Sequence, residues 1–283
     1  MSNIVTTAKT ENLNQSNASR IEAFFDADEF VHQLLKPMID ASNVHHHVNT
    51  KVVFEDGTSE VTDAIGLLFG EPNLGIVSLI ATNNGKQVNE VLGIYPVVKG
   101  ATQKVKIEKV IVWNNQICAT ILCSKDDFLF AFFATDFYRN KEKYIESEFL
   151  DINLAALACN AEEAERGFSF EGQKAIDWLA KIGEEPSYNE DGSVQPVNFS
   201  MEQLAAYLAT EPKAPDEAQF QSPVGMVENL SFVGMAFYRT SIIIRGEGAE
   251  FQIPIILRKD LIPNLEAGMP IRGYSCLIGE IEE

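Results

Sequence analysis

The chain is short of the residues from which disulfide frameworks and metal centres are built. Its 283 residues hold four cysteines, no two spaced C-x-x-C. Cys118, Cys123, Cys159 and Cys276 are embedded in apolar runs such as QICATILC, and all four read as buried free thiols of a reducing compartment. No stretch approaches the ~18 consecutive apolar residues of a membrane-spanning helix. The opening MSNIVTTAKTENLNQSNASR lacks the basic and apolar regions of a secretory signal, so residues 1–19 read as a polar, disordered leader and the protein as cytoplasmic.

Catalytic signatures are missing as well. Neither G-x-x-x-x-G-K-[ST] nor G-x-G-x-x-G occurs. GYSCLIG has Leu277 where a nucleophile elbow needs glycine. The calcium-loop fragment NEDGS would place Ser187 and Asn198 at positions that require acidic ligands. Asp126 and Asp127 are neighbours and read as a hairpin turn rather than a carboxylate pair. No cofactor is implied.

Positive charge is scarce, with 22 Lys and Arg against 41 Asp and Glu, a formal net charge of -19. Residues 161–222 hold 4 basic and 13 acidic residues, nearly half of the excess, whereas residues 102–160 hold 7 against 8. The acidic segment also carries the punctuation. Ile176, Leu179 and Ile182 are spaced as on a helix that Gly183 stops. EEPSYNEDGSVQPVN is a loop. Ser200 with Gln203 forms a capping box for a helix through Leu204 and Leu208, and EPKAPDEAQFQSP, with Pro212, Pro215 and Pro223, reads as a stiff connector. Residues 161–222 are therefore expected to be a helical acidic bridge.

The segments on either side of it resemble each other. Ile107 and Glu108 align with Val227 and Glu228, Thr120 with Thr240 and Leu157 with Leu277 at an offset of 120, while Phe128 aligns with Phe251 at 123. Each copy reads as three strands, a short helical or irregular piece and a last strand. That length suits a small OB-like or SH3-like barrel, and Pro254 inside FQIPIIL marks an edge or bulged strand. Ahead of the barrels, Asp26 and Glu29 cap a helix running through Phe30 to Ile39, with a kink at Pro37. A second short helix is expected near Val61, Ile65 and Leu68, and LGIVSLIAT and QVNEVLGIYPVV form a hairpin. The expected fold is α+β: a leader (1–19), an α+β unit (20–101), a first barrel (102–160), the acidic bridge (161–222) and a second barrel (223–283).

The phrases FFATDFYRNKEKY, INLAALA, FSFEGQKAI, IGEEPSYNEDG, FQSPV and IRGYSCLIG resemble a set of uncharacterised bacterial proteins sharing FF-x-TD-[FY]-Y-x-NK-x-x-Y, over roughly residues 103–283. The set often has Asp where this chain has Ala134 and Trp where it has Cys276. The resemblance implies a shared architecture and no chemistry.

Two groups of residues remain as candidate sites. All four histidines fall between His32 and His47. In VHHHVNTKVVF read as a strand, Val44, His46 and Val48 share one face and His45 and His47 the other, where they suit a divalent cation or simply solvent. The second group is Phe137, Tyr138, Arg139, Lys141, Lys143 and Tyr144. Phe132, Phe133, Phe137 and Tyr144 read as barrel core with the cations outside, or the rings and cations form a stacking platform for single-stranded nucleic acid, or the cations dock on an acidic surface of a partner or of residues 161–222. The balance favours a non-catalytic binding or scaffolding protein engaging another macromolecule, a protein in preference to nucleic acid, through its tandem barrels. A single-stranded nucleic-acid binder is the alternative, and a metal-dependent enzyme using the histidines the second; no membrane partner is expected.

Overall fold

The computed structural model of the chain describes residues 4–7, 20–21, 23–25, 33–53, 59–71, 73–83, 86–211, 214–246 and 249–282. It consists mostly of strands, with three short helices among the described residues. Ile4–Thr7 (β1), inside the expected leader, lies parallel to β6 (Ala101–Val112), Ile4 beside Lys109. Its sequence IVTT is β-branched at all four positions, the composition that suits an extended chain.

The N-terminal unit is a four-stranded antiparallel sheet, β2 (Asn43–Val53), β3 (Ser59–Glu71), β4 (Leu74–Asn83) and β5 (Lys86–Val98), preceded by α1 (Leu35–Ala41) with Pro37 in its first turn. The capping pair Asp26 and Glu29 lies outside the described residues. The β4–β5 hairpin is as expected. The helix expected near Val61 is instead β3, paired on both sides. Apolar residues four apart share a face in a strand as they do in a helix, so that spacing does not separate the two.

The remaining strands form one large sheet that closes on itself. β6, β7 (Ala119–Lys125) and β8 (Phe128–Ala134) form an antiparallel meander, followed by α2 (Phe137–Glu146) and β9 (Phe149–Glu163), which returns to pair with β6. The ring is completed by β17 (Pro270–Ile281), parallel to β8 and antiparallel to β9. β15 (Met235–Gly246) and β16 (Ala249–Arg258) repeat the β7–β8 hairpin, and β16 lies parallel to β9 as β8 does to β17. β14 (Glu228–Phe232) extends this sheet beyond β15. The two copies therefore exchange their last strands: the first ring is closed, and the second, β14–β15–β16–β9–β17 with the later strand of residues 161–222 beyond it, is an open ring with no pairing between its ends among the described residues. β16 is flanked on both sides only at Ile255 and Ile256, and at Pro254 it is paired with β15 alone, as at an edge. The proline stands just ahead of Ile255, where pairing with β9 begins, so its missing N–H costs no ladder bond.

Residues 161–222 contribute strands as well as the expected helix over Gln173–Ile182. β12 (Ala206–Glu211) and β13 (Ala214–Pro223) form a hairpin whose second strand pairs with β17. The S-M-E-Q sequence at Ser200 makes a turn, with the Leu204 amide donating to the Met201 carbonyl, and β12 follows. Ala218, Phe220 and Ser222 alternate inward, so the proline-flanked stretch read as a connector carries a strand pattern between its punctuation marks.

Side-chain direction corrects the repeat register. Ile121 opposite Phe132 and Cys123 opposite Phe130 point into the core of the rings, as do Ile242 opposite Ile253 and Ile244 opposite Phe251. These equivalents are 121 residues apart. An offset of 120 turns each side chain to the other face: Thr120 takes a hydrogen bond from the Trp113 indole in the outer core, whereas Thr240 sits between Tyr238 and Ile242 in the inner one.

Two cores result. The inner core fills the rings with residues of both copies, among them Ile121, Phe132, Ile152, Ile242, Ile255 and Leu277. The outer core is sandwiched between the rings and the four-stranded sheet, bringing Leu79 and Tyr95 against Phe133, Leu157 and Ile278. Each such ring or branched side chain contributes about 1.5–3 kcal/mol on burial. Arg20 crosses this layer, its guanidinium 4.4 Å from the centre of the Phe133 ring and 5.4 Å from that of Trp113, and pairs with Asp216 of β13 in a fully buried salt bridge.

Candidate functional site

FFATDFYRNKEKY runs from the end of β8 through α2. Phe132, Phe133, Phe137 and Tyr144 are fully buried and Tyr138 almost so. Buried rings offer no open face for a base to stack on. The stretch is organised by a pattern not recognised in the sequence, D-x-x-x-N-x-x-x-Y, whose members lie four apart on one side of α2. The Asp136 carboxylate accepts hydrogen bonds from the Tyr144 hydroxyl (2.6 Å), the Asn140 side-chain amide (2.7 Å) and the Ile281 backbone N–H (3.1 Å), which ties the helix to the end of β17. Burial raises the Asp136 carboxyl above the usual aspartate range, against the opposing pull of these three donors and of Arg139.

The cations lie on the outer side of the helix. Arg139 pairs with Glu280 at 3.8 Å, Lys141 donates to the Gln116 side-chain oxygen at 3.1 Å, and Lys143 is exposed. Glu280 and Gln116 both lie outside residues 161–222.

The structure brings a different histidine to this stretch from the pair singled out in the sequence. A bulge between Val44 and His46 resets the alternation of β2, so that Val44 is 58% exposed and does not share a face with His46. His45 and His47 are exposed. His46 turns inward, stacks on Tyr138 with ring centres 5.3 Å apart and makes a 2.8 Å hydrogen bond from Nε2 to the Tyr138 hydroxyl. Gly66 faces it across β3, where a Cβ would come within 2.3 Å of the imidazole, so only glycine admits the ring there. His46, Tyr138, Asp136, Arg139, Glu280 and Asn153 line a cleft of about 500 Å³ between the N-terminal sheet and the rings. Burial holds the Tyr138 phenol protonated far above its usual range. Within the cleft His46 engages Tyr138 and Arg139 engages Glu280, and the first of these contacts joins the two layers. Among the described residues no group of three or more His, Cys, Asp and Glu is placed to hold a metal ion.

A second surface has the opposite character. Between β9 and β12 the chain leaves the rings and forms a small appendage: β10 (Gly167–Phe170) pairs with β11 (Val197–Ser200), and α3 (Gln173–Ile182) packs beside them. The helix ends as expected, with Gly183 at φ +78. Phe168 and Phe199 stack with ring centres 4.7 Å apart, Trp178 meets Phe199 edge-on at 4.7 Å, and Phe170 lies 6.3 Å from Trp178. Ala175 and Leu179 are the buried residues of α3, whereas Phe168, Ile182 and Tyr188 remain 43%, 48% and 57% exposed. Glu171, Asp177, Glu184, Glu185, Glu190 and Asp191 are all exposed on this appendage. Arg166, Lys174 and Lys181 are exposed there too, so acidic groups outnumber basic ones, and exposed large apolar side chains in such surroundings mark association surfaces.

No helix among the described residues is long and apolar enough to cross a membrane. No family model, curated protein or solved structure matches the chain, so these surfaces carry the functional reading without a relative to guide it.

Proposed function

We propose that this is a non-catalytic binding or scaffolding protein that engages another protein through the aromatic, acidic appendage of residues 166–205. The observation that carries the reading is the exposure of Phe168, Ile182 and Tyr188 on an ordered element that buries little else, while in the 500 Å³ cleft His46 is bonded to Tyr138, Arg139 to Glu280 and Asp136 to Tyr144 and Asn140. Charge fixes the kind of partner: a surface with acidic groups around an apolar centre is complementary to an apolar anchor ringed by Lys and Arg. The appendage rides on strand-exchanged rings that we read as OB-type. The order β6–β7–β8–β17–β9, the parallel β8–β17 pair and the helix ahead of the fourth strand support that reading.

A photo-crosslinking residue placed at Ile182, with a control at Lys143, tests the proposal in cells. A protein adduct is expected from position 182, absent from 143 and lost on Phe168→Ser. Adducts that disappear on nuclease treatment would move the reading to single-stranded nucleic acid, and equal labelling from both positions would refute the appendage as the docking element.

A further inference from the structure

The four cysteines, none of them in a disulfide, are placed very differently. Cys118 and Cys123 are buried, Cys276 is buried on β17, and Cys159 alone of the four is exposed. Cys159 lies at the bulge of β9, between Asn160, which pairs with Tyr274, and Ala158, which pairs with Ser275. The bulge turns its side chain toward the neighbouring strand, where its Sγ lies 3.6 Å from the Cys276 Sγ. A disulfide needs about 2.05 Å, so closure asks for an approach of about 1.5 Å at a position where the backbone is already irregular.

We infer that Cys159 and Cys276 form an oxidative modification site for hydroperoxides. Cys159 is the thiol that solvent reaches, and its sulfur attacks the peroxide, giving a sulfenic acid and releasing water or an alcohol. Cys276 then displaces the sulfenic oxygen, its thiol proton leaving with that oxygen as water, and the S–S bond forms. In total two thiols and one peroxide give one disulfide and two hydroxyl products. The hydrogen bond that Cys276 shares with Cys159, and then its burial, favour the thiol form of Cys276, which suits it to the resolving role and not to the first attack. The product is a covalent strut between the two strands that both rings share.

The folded chain is treated with hydrogen peroxide, its remaining thiols are alkylated under denaturing conditions, and peptides are identified by mass spectrometry. A Cys159–Cys276 disulfide is expected, formed before any change at Cys118 or Cys123 and reversed by dithiothreitol. In Cys276→Ser, Cys159 is expected to accumulate as a sulfenic acid that reacts with dimedone; in Cys159→Ser, Cys276 is expected to stay reduced. Progression of wild-type Cys159 to sulfinic acid while Cys276 remains alkylatable would overturn the inference, as would oxidation of Cys118 or Cys123 ahead of Cys159. The wild-type measurement decides even where a variant does not fold.

Discussion

At the scale of single residues, the buried polar groups separate what they hold together from what they cost. Asp136 binds α2 to β17 through three donors. In Asp136→Asn one amide edge faces those donors, and the change is expected to destabilise by about 1–3 kcal/mol. The same carboxyl carries a pH signature. Its folded pKa lies above the unfolded value of about 3.9, so the folded state holds the proton more tightly. The stability it contributes is fully present below the unfolded value and lost as pH rises through the folded one. Relative to Asp136→Asn, wild type should therefore lose stability from about pH 4 upward, which urea titrations at several pH values would show; a relative gain over that range contradicts it. Arg20 and Asp216 make a different case. Arg20→Leu strands a buried carboxylate and should cost about 3–5 kcal/mol, whereas adding Asp216→Leu should recover most of the loss. A double variant no better than the single one would mean that the guanidinium acts through Phe133 and Trp113 instead.

At the scale of elements, strands with strict alternation and helices with a stop residue were legible, and apolar spacings of four were not. Gly183 ended α3 as read and the β4–β5 hairpin formed, yet Val61 with Ile65 and Leu204 with Leu208 belong to strands or turns, because a spacing of four satisfies both periods. Of the candidate site, the burial of Phe132, Phe133, Phe137 and Tyr144 followed from composition. The Tyr138–His46 contact could not, since it depends on a bulge and on pairing between elements far apart in the chain. The aromatic appendage was hidden by a different circumstance: Phe168, Phe170, Trp178 and Phe199 are spread over a segment that a loop interrupts, and only the β10–β11 pairing collects them. The Asp126–Asp127 turn was read as a turn, and both residues take positive φ, 46 and 66. Asn-Gly suits that geometry better and removes two adjacent like charges, so Asp126→Asn with Asp127→Gly should stabilise by about 0.5–1 kcal/mol in thermal melts. A loss of stability would show that the carboxylates make contacts that the turn geometry does not account for.

At the scale of the whole molecule, the two tryptophans report on different parts of the fold. Trp113 lies in the outer core and Trp178 on the appendage. Because the inner core mixes side chains of both copies, the rings should unfold in one step, with Trp113 fluorescence in Trp178→Phe following the far-ultraviolet signal of the strands. The appendage buries few residues, and in Trp113→Phe the Trp178 signal should change at lower urea. Coincident transitions would show that the appendage is held by the rings more firmly than its burial suggests. The exchange of last strands also governs how the chain emerges from a ribosome. β9 is complete at Glu163, but its neighbour β17 does not begin until Pro270. At about 5–20 residues per second the interval is roughly 5–20 s, during which the first ring stands open along β8 and β9. A nascent chain at that stage exposes two unpaired strand edges, each matched in register to β17, so neighbouring chains on one polysome are competitors for each other's last strand. Slow translation between the two strands would lengthen that exposure, and strand exchange between molecules is the error this topology invites.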